Sequence, residues 1–465
     1  MKLYNTLSKT VEEFSTYEKG IVKMYTCGPT VYHFAHIGNL RTYVFEDILQ
    51  KSLEYLGYDV KRVMNITDVG HMTSDGDTGE DKMQKGALRE HKTVYEIAAF
   101  YTDAFMSDIE KLNIKRPAII EKASDHIDTY IEMIKTLLEK GYAYQAGGNI
   151  YFDVSKFPNY YELSGKNQED LLVGVREDVE EDKSKRNPAD FGLWFTLSKF
   201  ENQVMQWDSP WGRGYPGWHI ECSGISYKYL GEYLDIHCGG VDNIFPHHTN
   251  EIAQSESFLG HKWCNYWCHG EHLNDNTGKM SKSKGEFLTL SLLESKGYNP
   301  LVYRLFCLNS HYRSQLVFSY EAMEATKNAY QKLLGKVASI RNDRSGQKEL
   351  DKIEKYEQKF KEALENDLNT ANAVTILYDV LKSDCSNETK LYLIESFDTV
   401  LSLDLLKETK IEQELEDYIE EQIRKRNEAK KEKNYELADK IRNDLLEKGV
   451  ELKDSREGTT YTFRK

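Results

Sequence analysis

The N-terminal part of the chain holds two short apolar runs separated by an amphipathic stretch. The first run covers 21–26 and ends at Cys27-Gly28-Pro29, and the second covers 60–66. Between them, 40–56 carries apolar residues at the three- and four-residue spacing of a helix. A strand, a loop, a helix and a second strand form a βαβ unit, which favours a parallel sheet. We therefore predict an α/β fold.

The same alternation returns later in the chain. Strand candidates at 233–237 and 266–269 flank a helical stretch at 249–258. The stretch 125–205 is helical at first and then polar and irregular. We interpret it as an insertion that splits the α/β domain.

Residues that break helices are scarce near the C-terminus. All eight prolines lie at or before Pro300, and only four glycines follow residue 320. Apolar residues there recur at three- and four-residue spacing, which predicts helices. We interpret Leu364, Leu368, Ala371 and Thr375 as one helical stripe. The C-terminal region is therefore expected to be α-helical.

Composition excludes several classes of protein. Among 465 residues, 61 Lys and Arg stand against 76 Asp and Glu, a net charge of −15, which disfavours a protein that coats nucleic acid non-specifically. No run approaches about eighteen apolar residues, and the start lacks the apolar core of a signal peptide, so we expect no membrane span. Seven thinly spread cysteines suit a reduced cytoplasm better than a disulfide framework.

Two short motifs carry candidate chemistry. His36-Ile37-Gly38-Asn39 lies between the first strand and its helix, where glycine lets a phosphate approach the backbone and a helix N-terminus favours anions. The stretch 278–285 contains three lysines and two serines, a cationic loop suited to a polyphosphate leaving group. Either motif alone is compatible with an ordinary loop, but together they are far more specific.

In this order, the two motifs resemble the signatures of class I aminoacyl-tRNA synthetases. The chain is similar to cysteinyl-tRNA synthetases from about residue 2 to its C-terminus. The blocks that carry this likeness are YTCGPTVY at 25–32, GWHIECS at 217–223, FPHH at 245–248 and NEIAQS at 250–255.

The resemblance implies a domain organisation. A Rossmann-like catalytic domain is expected over 1–320, with the insertion at about 125–205 and the lysine-loop region at about 272–320. A helical bundle domain over 321–408 and an anticodon-binding domain over 409–465 would follow it.

The resemblance also implies the reaction. It is the ATP-dependent activation of L-cysteine to cysteinyl-adenylate and its transfer to the 3′ end of tRNA(Cys), by a monomeric cytoplasmic enzyme that uses Mg²⁺ with ATP. The residues implied to contact ATP are His36, Gly38, Asn39, Asp242, Lys279 and Lys282, and all of these except Gly38 and Asp242 are implied to be catalytic. Gly28, Thr67 and Trp218 are implied to bind cysteine, although Thr67 and Trp218 suit core packing equally well.

Four dispersed residues correspond to the zinc ligands of the family: Cys27, Cys222, His247 and Glu251. Thiolate, imidazole and carboxylate are ordinary zinc ligands, so one Zn²⁺ per chain is expected. The sequence offers a denser rival, which comprises His261, Cys264, Cys268, His269 and His272. Two tryptophans share its segment, which reads as a buried strand, and buried free cysteine is common.

Zinc gives a physical reason for selectivity. Cysteine and serine differ by one atom, and pocket shape alone separates such analogues by only about one or two orders of magnitude. A soft thiolate binds zinc much better than a hydroxyl does, so a zinc ion reads the side chain directly.

The C-terminal segment differs from the rest in charge. From Gln422 to Lys465, thirteen Lys and Arg stand against nine Asp and Glu, so this tail carries +4 and the remainder −19. By the resemblance, Arg424, Arg426 and Tyr461 are expected to contact the tRNA anticodon, with Tyr461 where the family usually has Trp. On charge alone, a solvated helix is the simpler interpretation.

Two alternative functions remain open at this point. A mycothiol-type cysteine ligase for a sugar amine shares the catalytic half but lacks the anticodon-binding end. A zinc-containing RNA-binding protein without catalysis is the rival from another class.

Overall fold

The structure is a computed structural model. It describes residues 1–69, 93–165, 184–196, 204–275, 278–279, 287–407, 410–432, 434–447, 450–454 and 459–463. The chain divides into two compact units, 1–405 and 406–465.

The strands and helices are numbered along the chain. The strands are β1 (Lys2–Asn5), β2 (Thr10–Glu13), β3 (Ile21–Thr26), β4 (Asp59–Ile66), β5 (Ile119–Lys122), β6 (Ala143–Ala146), β7 (Asn149–Phe152), β8 (Phe191–Phe195), β9 (Tyr215–Pro216), β10 (Leu234–Gly240), β11 (Cys264–Gly270), β12 (Leu273–Asp275), β13 (Gly278–Lys279), β14 (Leu316–Val317), β15 (Val450–Asp454) and β16 (Thr459–Phe463). The helices are α1 (Ile37–Tyr55), α2 (Val94–Lys111), α3 (Ile127–Glu139), α4 (Trp218–Leu230), α5 (Thr249–Leu259), α6 (Leu290–Ser295), α7 (Pro300–Leu308), α8 (Tyr320–Asn342), α9 (Leu350–Glu365), α10 (Thr370–Lys382), α11 (Asn387–Leu401), α12 (Lys410–Lys431) and α13 (Tyr435–Glu447).

A five-stranded parallel sheet forms the centre of the first unit, in the order β11-β10-β3-β4-β5. The helix α1 connects β3 to β4 and buries Leu49 and Leu53 against Val22 and Met24 of β3. All five strands point the same way, so their carboxyl ends meet at one edge. The predicted α/β fold with a parallel sheet is confirmed.

The insertion is more regular than predicted. Its second part forms a four-stranded antiparallel sheet in the order β6-β7-β8-β9, which extends to Pro216. Every residue of β7 and β8 is buried. Strands buried on both faces lack the alternation of apolar and polar residues that marks a half-exposed strand. The polar segments around them therefore dominated the hydrophobicity pattern of this stretch.

The helices α8 to α11 confirm the helical character after residue 320, but the predicted single stripe is wrong. The helix α9 ends at Glu365 and α10 starts at Thr370, because Asp367 and Leu368 adopt positive φ angles of 54° and 57°. The carboxylate of Asp367 accepts hydrogen bonds from the Tyr4 backbone N–H and the Tyr312 hydroxyl. Distant parts of the chain therefore stabilise this break.

The second unit combines α12 and α13 with an antiparallel pair, β15 and β16. Its core contains Ile419, Ile441, Leu445, Val450 and Leu452. The helical character of the C-terminal region is confirmed, and the strand pair is an addition that the spacing of apolar residues did not predict. In the described parts of both units, no helix combines the length and apolar character needed to span a membrane.

Candidate active site and metal centre

A cavity of about 430 Å³ opens at the carboxyl ends of β3 and β10. Its wall includes the loop 27–36 after β3, Gly239 and Gly240 of β10, and 270–273 at and after the end of β11. The strands β3 and β10 are neighbours in the sheet, but the chain continues from them in opposite directions. The next strand after β3, β4, lies on the far side of β3, and the next strand after β10, β11, lies on the far side of β10. Ligands of open parallel sheets bind at such a crevice.

The first motif forms the start of α1 beside this cavity. His36 is the N-cap, and its Nδ1 accepts a hydrogen bond of 3.1 Å from the Gly38 N–H. Asn39 returns a bond, because its Oδ1 accepts from the His36 N–H at 3.3 Å. The Nδ1 bond leaves the proton of a neutral His36 ring on Nε2. His36, Gly38 and Asn39 all line the cavity, together with the predicted ATP contact Asp242.

An arginine that sequence analysis did not select locks α1 to the opposite wall. Arg41, 4% exposed, donates to four backbone carbonyls, at distances between 2.5 and 3.3 Å. The acceptors are Glu271, His272, His311 and Ser314. Two of these carbonyls immediately precede β12, which pairs with β13 at the start of the lysine loop. Arg41 therefore holds the first motif against the base of the second.

The second motif is only partly described. The backbone of Lys279 belongs to β13, while its side chain and the whole of Lys282 lie outside the described residues.

The four predicted metal ligands converge beside the cavity. Cys27 lies at the end of β3, Cys222 on α4, His247 just before α5 and Glu251 on α5. The two sulfur atoms are 3.9 Å apart, although their residues are 195 positions apart in sequence. Cys222 Sγ is 3.5 Å from His247 Nε2, which lies 3.0 Å from Glu251 Oε1.

The two distances that involve sulfur are close to those of tetrahedral coordination, whereas the 3.0 Å between His247 and Glu251 is that of a direct ion pair. Zinc bonds of the usual lengths place neighbouring donor atoms ~3.4–3.8 Å apart around a tetrahedral ion. All four donor atoms here lie within 4.8 Å of one another. Three of the residues are buried and Cys27 is half-buried, lining the cavity. The set thus matches a zinc site that opens towards a substrate.

The electrostatics of the cluster also suit a cation. Burial alone would raise the pKa of Glu251, but the imidazoles of His237 and His247 outweigh it and lower the pKa to about 2. Burial opposes protonation of His247, yet Glu251 and Cys222 raise its pKa to about 10. Burial likewise opposes ionisation of Cys222, whose pKa is nevertheless lowered by the Cys27 thiol and His247. A divalent cation that replaces the His247 proton would balance the remaining negative charge.

A second donor set shares Cys27 and Glu251 with the first. His248 Nε2 lies 3.3 Å from Cys27 Sγ, and His237 Nε2 lies 2.9 Å from Glu251 Oε2. Sequence analysis assigned neither histidine a role as a ligand. The spacing of His237 gave no signal, because it lies on β10 and reaches Glu251 only through the fold.

His247 of the first set and His237 of the second lie on different sides of the shared donors. The ring of Trp218, which lines the cavity, stacks on His247 with centroids 4.4 Å apart. The ring of His237 instead stacks on buried Trp267 at 4.6 Å. His247 therefore lies behind the cavity-lining ring of Trp218, while His237 lies towards the core.

Other histidines orient the donors from behind. His219 Nδ1 is 2.9 Å from His247 Nδ1, which directs His247 Nε2 towards the cluster. His248 Nδ1 is 2.8 Å from His269 Nε2, and His269 in turn contacts Thr6 Oγ1 at 2.8 Å. Metal-bound histidines usually have such a partner on the second ring nitrogen.

The predicted cysteine-binding residues take different positions. Gly28 and Trp218 line the cavity. At Gly28 only glycine fits, since a Cβ there would lie 1.5 Å from the Asn65 carbonyl oxygen. Thr67 is outside the lining and 1% exposed, and its hydroxyl donates to Glu221 Oε2 at 3.1 Å. Thr67 therefore lies behind the cavity wall, as core packing requires, and its contact with cysteine stays a prediction.

The rival metal cluster does not assemble in the described part of the chain. Cys264 and Cys268 are buried on β11, where their sulfur atoms contact backbone carbonyls. His261 lies near Glu232, and His272 near Asp242. Nearness in sequence does not bring side chains together on a strand, because successive residues point to opposite faces and residues four apart on one face are separated by about 13 Å.

The expected anticodon residues differ in exposure within the second unit. Arg424 is exposed on α12, whereas Arg426 is 2% exposed. Arg426 is therefore corrected from an RNA contact to a core residue. Tyr461 on β16 is half-buried and packs against the C-terminal core.

Comparisons with known proteins agree on one family. Residues 13–328 match the family described as tRNA synthetases class I (C) catalytic domain, and 359–391 match the DALR domain. The cysteine--tRNA ligase of Treponema denticola is 50% identical over 490 residues, covering 99% of each chain. That of Borreliella burgdorferi is 45% identical over 476 residues, covering 99% of this chain and 98% of its own.

A solved structure supports the fold independently. Mycobacterium tuberculosis methionyl-tRNA synthetase in complex with methionyl-adenylate superimposes with a TM-score of 0.58. The match covers 83% of this chain and 91% of that one, at 14% sequence identity. At this identity the likeness shows the architecture alone.

Proposed function

The chain belongs to the cysteine--tRNA ligase family of class I tRNA synthetases, and from this membership we propose that both steps of its reaction occur in the cavity beside β3 and β10. The enzyme ligates cysteine to tRNA(Cys). In the first step, the cysteine carboxylate attacks the α-phosphate of ATP, giving cysteinyl-adenylate and pyrophosphate. In the second, the terminal ribose hydroxyl of tRNA attacks the carbonyl carbon, and AMP leaves.

We propose that the start of α1 binds ATP. The donor Nε2–H of His36, the backbone at Gly38 and the amide of Asn39 lie at a helix N-terminus, which favours the phosphates. Asp242, Lys279 and Lys282 complete the proposed site, with the lysines and Mg²⁺ stabilising charge on the departing pyrophosphate.

Cys27, Cys222, His247 and Glu251 are proposed to hold one zinc ion. When bound there, zinc would supply affinity for a thiolate over a hydroxyl and lower the pKa of the substrate thiol. Trp218 packs on His247 and fixes its ring, while Gly28 lets the substrate approach the backbone. We also propose that the enzyme is a cytoplasmic monomer.

One observation carries this proposal. Cys27 is both the first residue after β3 and a member of the donor cluster, and the same loop leads within nine residues to His36. The donor cluster and the ATP motif therefore lie along the same wall of the cavity. An amino acid held at the cluster would lie beside the nucleotide, as adenylate formation requires.

Two assays test the function and its rivals. We expect cysteine-dependent exchange of pyrophosphate into ATP, and cysteine transfer to tRNA(Cys) but not to glucosaminyl-inositol. Exchange with transfer only to the sugar amine would favour the mycothiol-type ligase. The lack of any exchange would refute catalysis.

The C-terminal contact has its own test. Replacing Tyr461 with Ala should raise the KM for tRNA about tenfold, because stacking on a base is lost, while pyrophosphate exchange is retained. Tyr461→Phe keeps the ring and should behave like the wild type. Since Tyr461 also packs in the core of the second unit, thermal unfolding checks that the fold persists. An unchanged KM in Tyr461→Ala refutes a stacking role.

A further inference from the structure

Aromatic side chains form the outer rim of the cavity. His33 and Phe34 of the loop after β3, and Tyr101 of α2, line it. Phe100, next to Tyr101, lies outside the lining but continues the aromatic surface outwards. Phe34 is 38% exposed and Phe100 is 42% exposed, so two neighbouring apolar rings form a patch open to solvent.

The rim is held in a defined geometry. The Phe34 ring meets Tyr101 edge-on, with centroids 5.1 Å apart and planes at 89°, and meets Phe100 at 5.9 Å and 72°. His33 stacks on Tyr101 with planes 6° apart. Tyr101 is 2% exposed and anchors the group on α2. Among the described residues, no ring stacks parallel to Phe34.

The second step of the reaction brings a polymer to this rim. The terminal ribose of tRNA must reach an adenylate inside the cavity, so the nucleotides before it must cross the cavity mouth. The 3′ end of tRNA is single-stranded, and proteins bind unpaired bases by stacking them on aromatic side chains. A surface that begins in the cavity wall and continues outside it suits an RNA strand that crosses the mouth better than it suits ATP, because the described residues proposed to contact ATP through their side chains line the cavity.

We propose that Phe34, supported by Tyr101 and Phe100, is a stacking surface for an unpaired base at the 3′ end of tRNA. This inference rests on the proposed function. It assigns the rim a role in the transfer step, whereas adenylate formation depends on the residues deeper in the cavity.

The test separates the two steps of the reaction. In Phe34→Ala, the ratio of kcat/KM for tRNA charging to the rate of pyrophosphate exchange should fall about tenfold, as expected for one lost stack. Phe34→Trp, which restores a ring, should recover the ratio. Tyr233→Ala is a matched control, because Tyr233 is 43% exposed but lies next to the opposite end of β10.

A truncated RNA locates the contact. Wild type should bind intact tRNA(Cys) more tightly than Phe34→Ala does, whereas the two should bind equally to tRNA that lacks its unpaired 3′ nucleotides. A difference that persists with the truncated RNA would overturn the proposal. So would an equal fall in exchange and charging, which would assign Phe34 to ATP, or an unchanged ratio. Wild-type protein without any exchange would refute the proposed function, and the stacking role with it.

Discussion

Removal of zinc is expected to abolish cysteine-dependent pyrophosphate exchange, and added Zn²⁺ to restore it. Three of the four proposed donors are buried, and the pKa values of two of them, Cys222 and Glu251, are lowered from their ordinary values. Without a divalent cation, the site would lack the group that binds a thiol in preference to a hydroxyl and lowers the pKa of that thiol. The measurement is exchange in protein whose zinc content is determined before and after chelation.

Replacing a single proposed zinc ligand should likewise reduce cysteine activation. Cys222→Ser replaces a soft donor with a hydroxyl and should lower zinc content and cysteine activation by at least tenfold. Zinc should also raise the melting temperature of the wild type more than that of the variant, because a ligand that binds only the folded state stabilises it. Cys307→Ser is the control, since Cys307 is buried on α7 and is not one of the grouped donors.

Serine provides the decisive comparison. If zinc reads the thiol, loss of zinc removes the preference for cysteine, and only the modest discrimination of pocket shape remains. Full activity together with full rejection of serine in protein verified to be zinc-free would contradict the proposed site.

The second large effect is on stability. Breaking the buried ion pair between Arg304 and Asp47 should destabilise the first unit by about 3–5 kcal/mol, because it leaves the buried Asp47 carboxylate with Lys51 but without Arg304 and removes the donor of two buried carbonyls. The Arg304 Nη2 and Asp47 Oδ2 atoms are 2.6 Å apart, and both side chains are fully buried. Lys51 Nζ lies 2.8 Å from the same carboxylate oxygen.

The further contacts of Arg304 explain why its loss should destabilise the protein. Arg304 on α7 also donates to the carbonyls of Leu401, at 2.6 Å, and Leu112, at 3.0 Å. It thereby joins α7, the end of α11, the residue after α2 and, through Asp47, the helix that carries the ATP motif. Burial alone would raise the pKa of Asp47, but the charges of Arg304 and Lys51 outweigh it and lower the pKa.

Arg304→Met tests the prediction by urea unfolding of the wild type and the variant. Lys111→Ala is the control: its ion pair with Glu294 is partly exposed, so its loss should cost less than about 1 kcal/mol. Equal midpoints for Arg304→Met and the wild type would show that the network contributes little.

Local patterns in the sequence predicted much of this protein. The βαβ unit followed from apolar spacing, because the periods of strand and helix are set by backbone geometry within a few residues. The first helix was expected from residue 40 but begins at Ile37, because His36 caps it through contacts with Gly38 and Asn39. The motifs also placed the chain in its family, which the comparisons confirm.

Long-range contacts decided the rest. The hydrogen bonds of Arg41 go to backbone carbonyls, which every residue possesses, so their partners leave no signature in the sequence. His237 contacts Glu251 only because β10 lies beside α5 in space. Arg426 looked like one more charge of a basic tail, yet it is buried.

The sequence by itself determined the local elements, the chemistry of the donor residues and the contrast between a −19 body and a +4 tail. Only the tertiary structure decided that Cys27 and Cys222, 195 positions apart, place their sulfur atoms 3.9 Å from each other. The physical reason is that the chemical type of a residue determines which bonds its side chain is able to make. The packing of distant elements selects which of those bonds form.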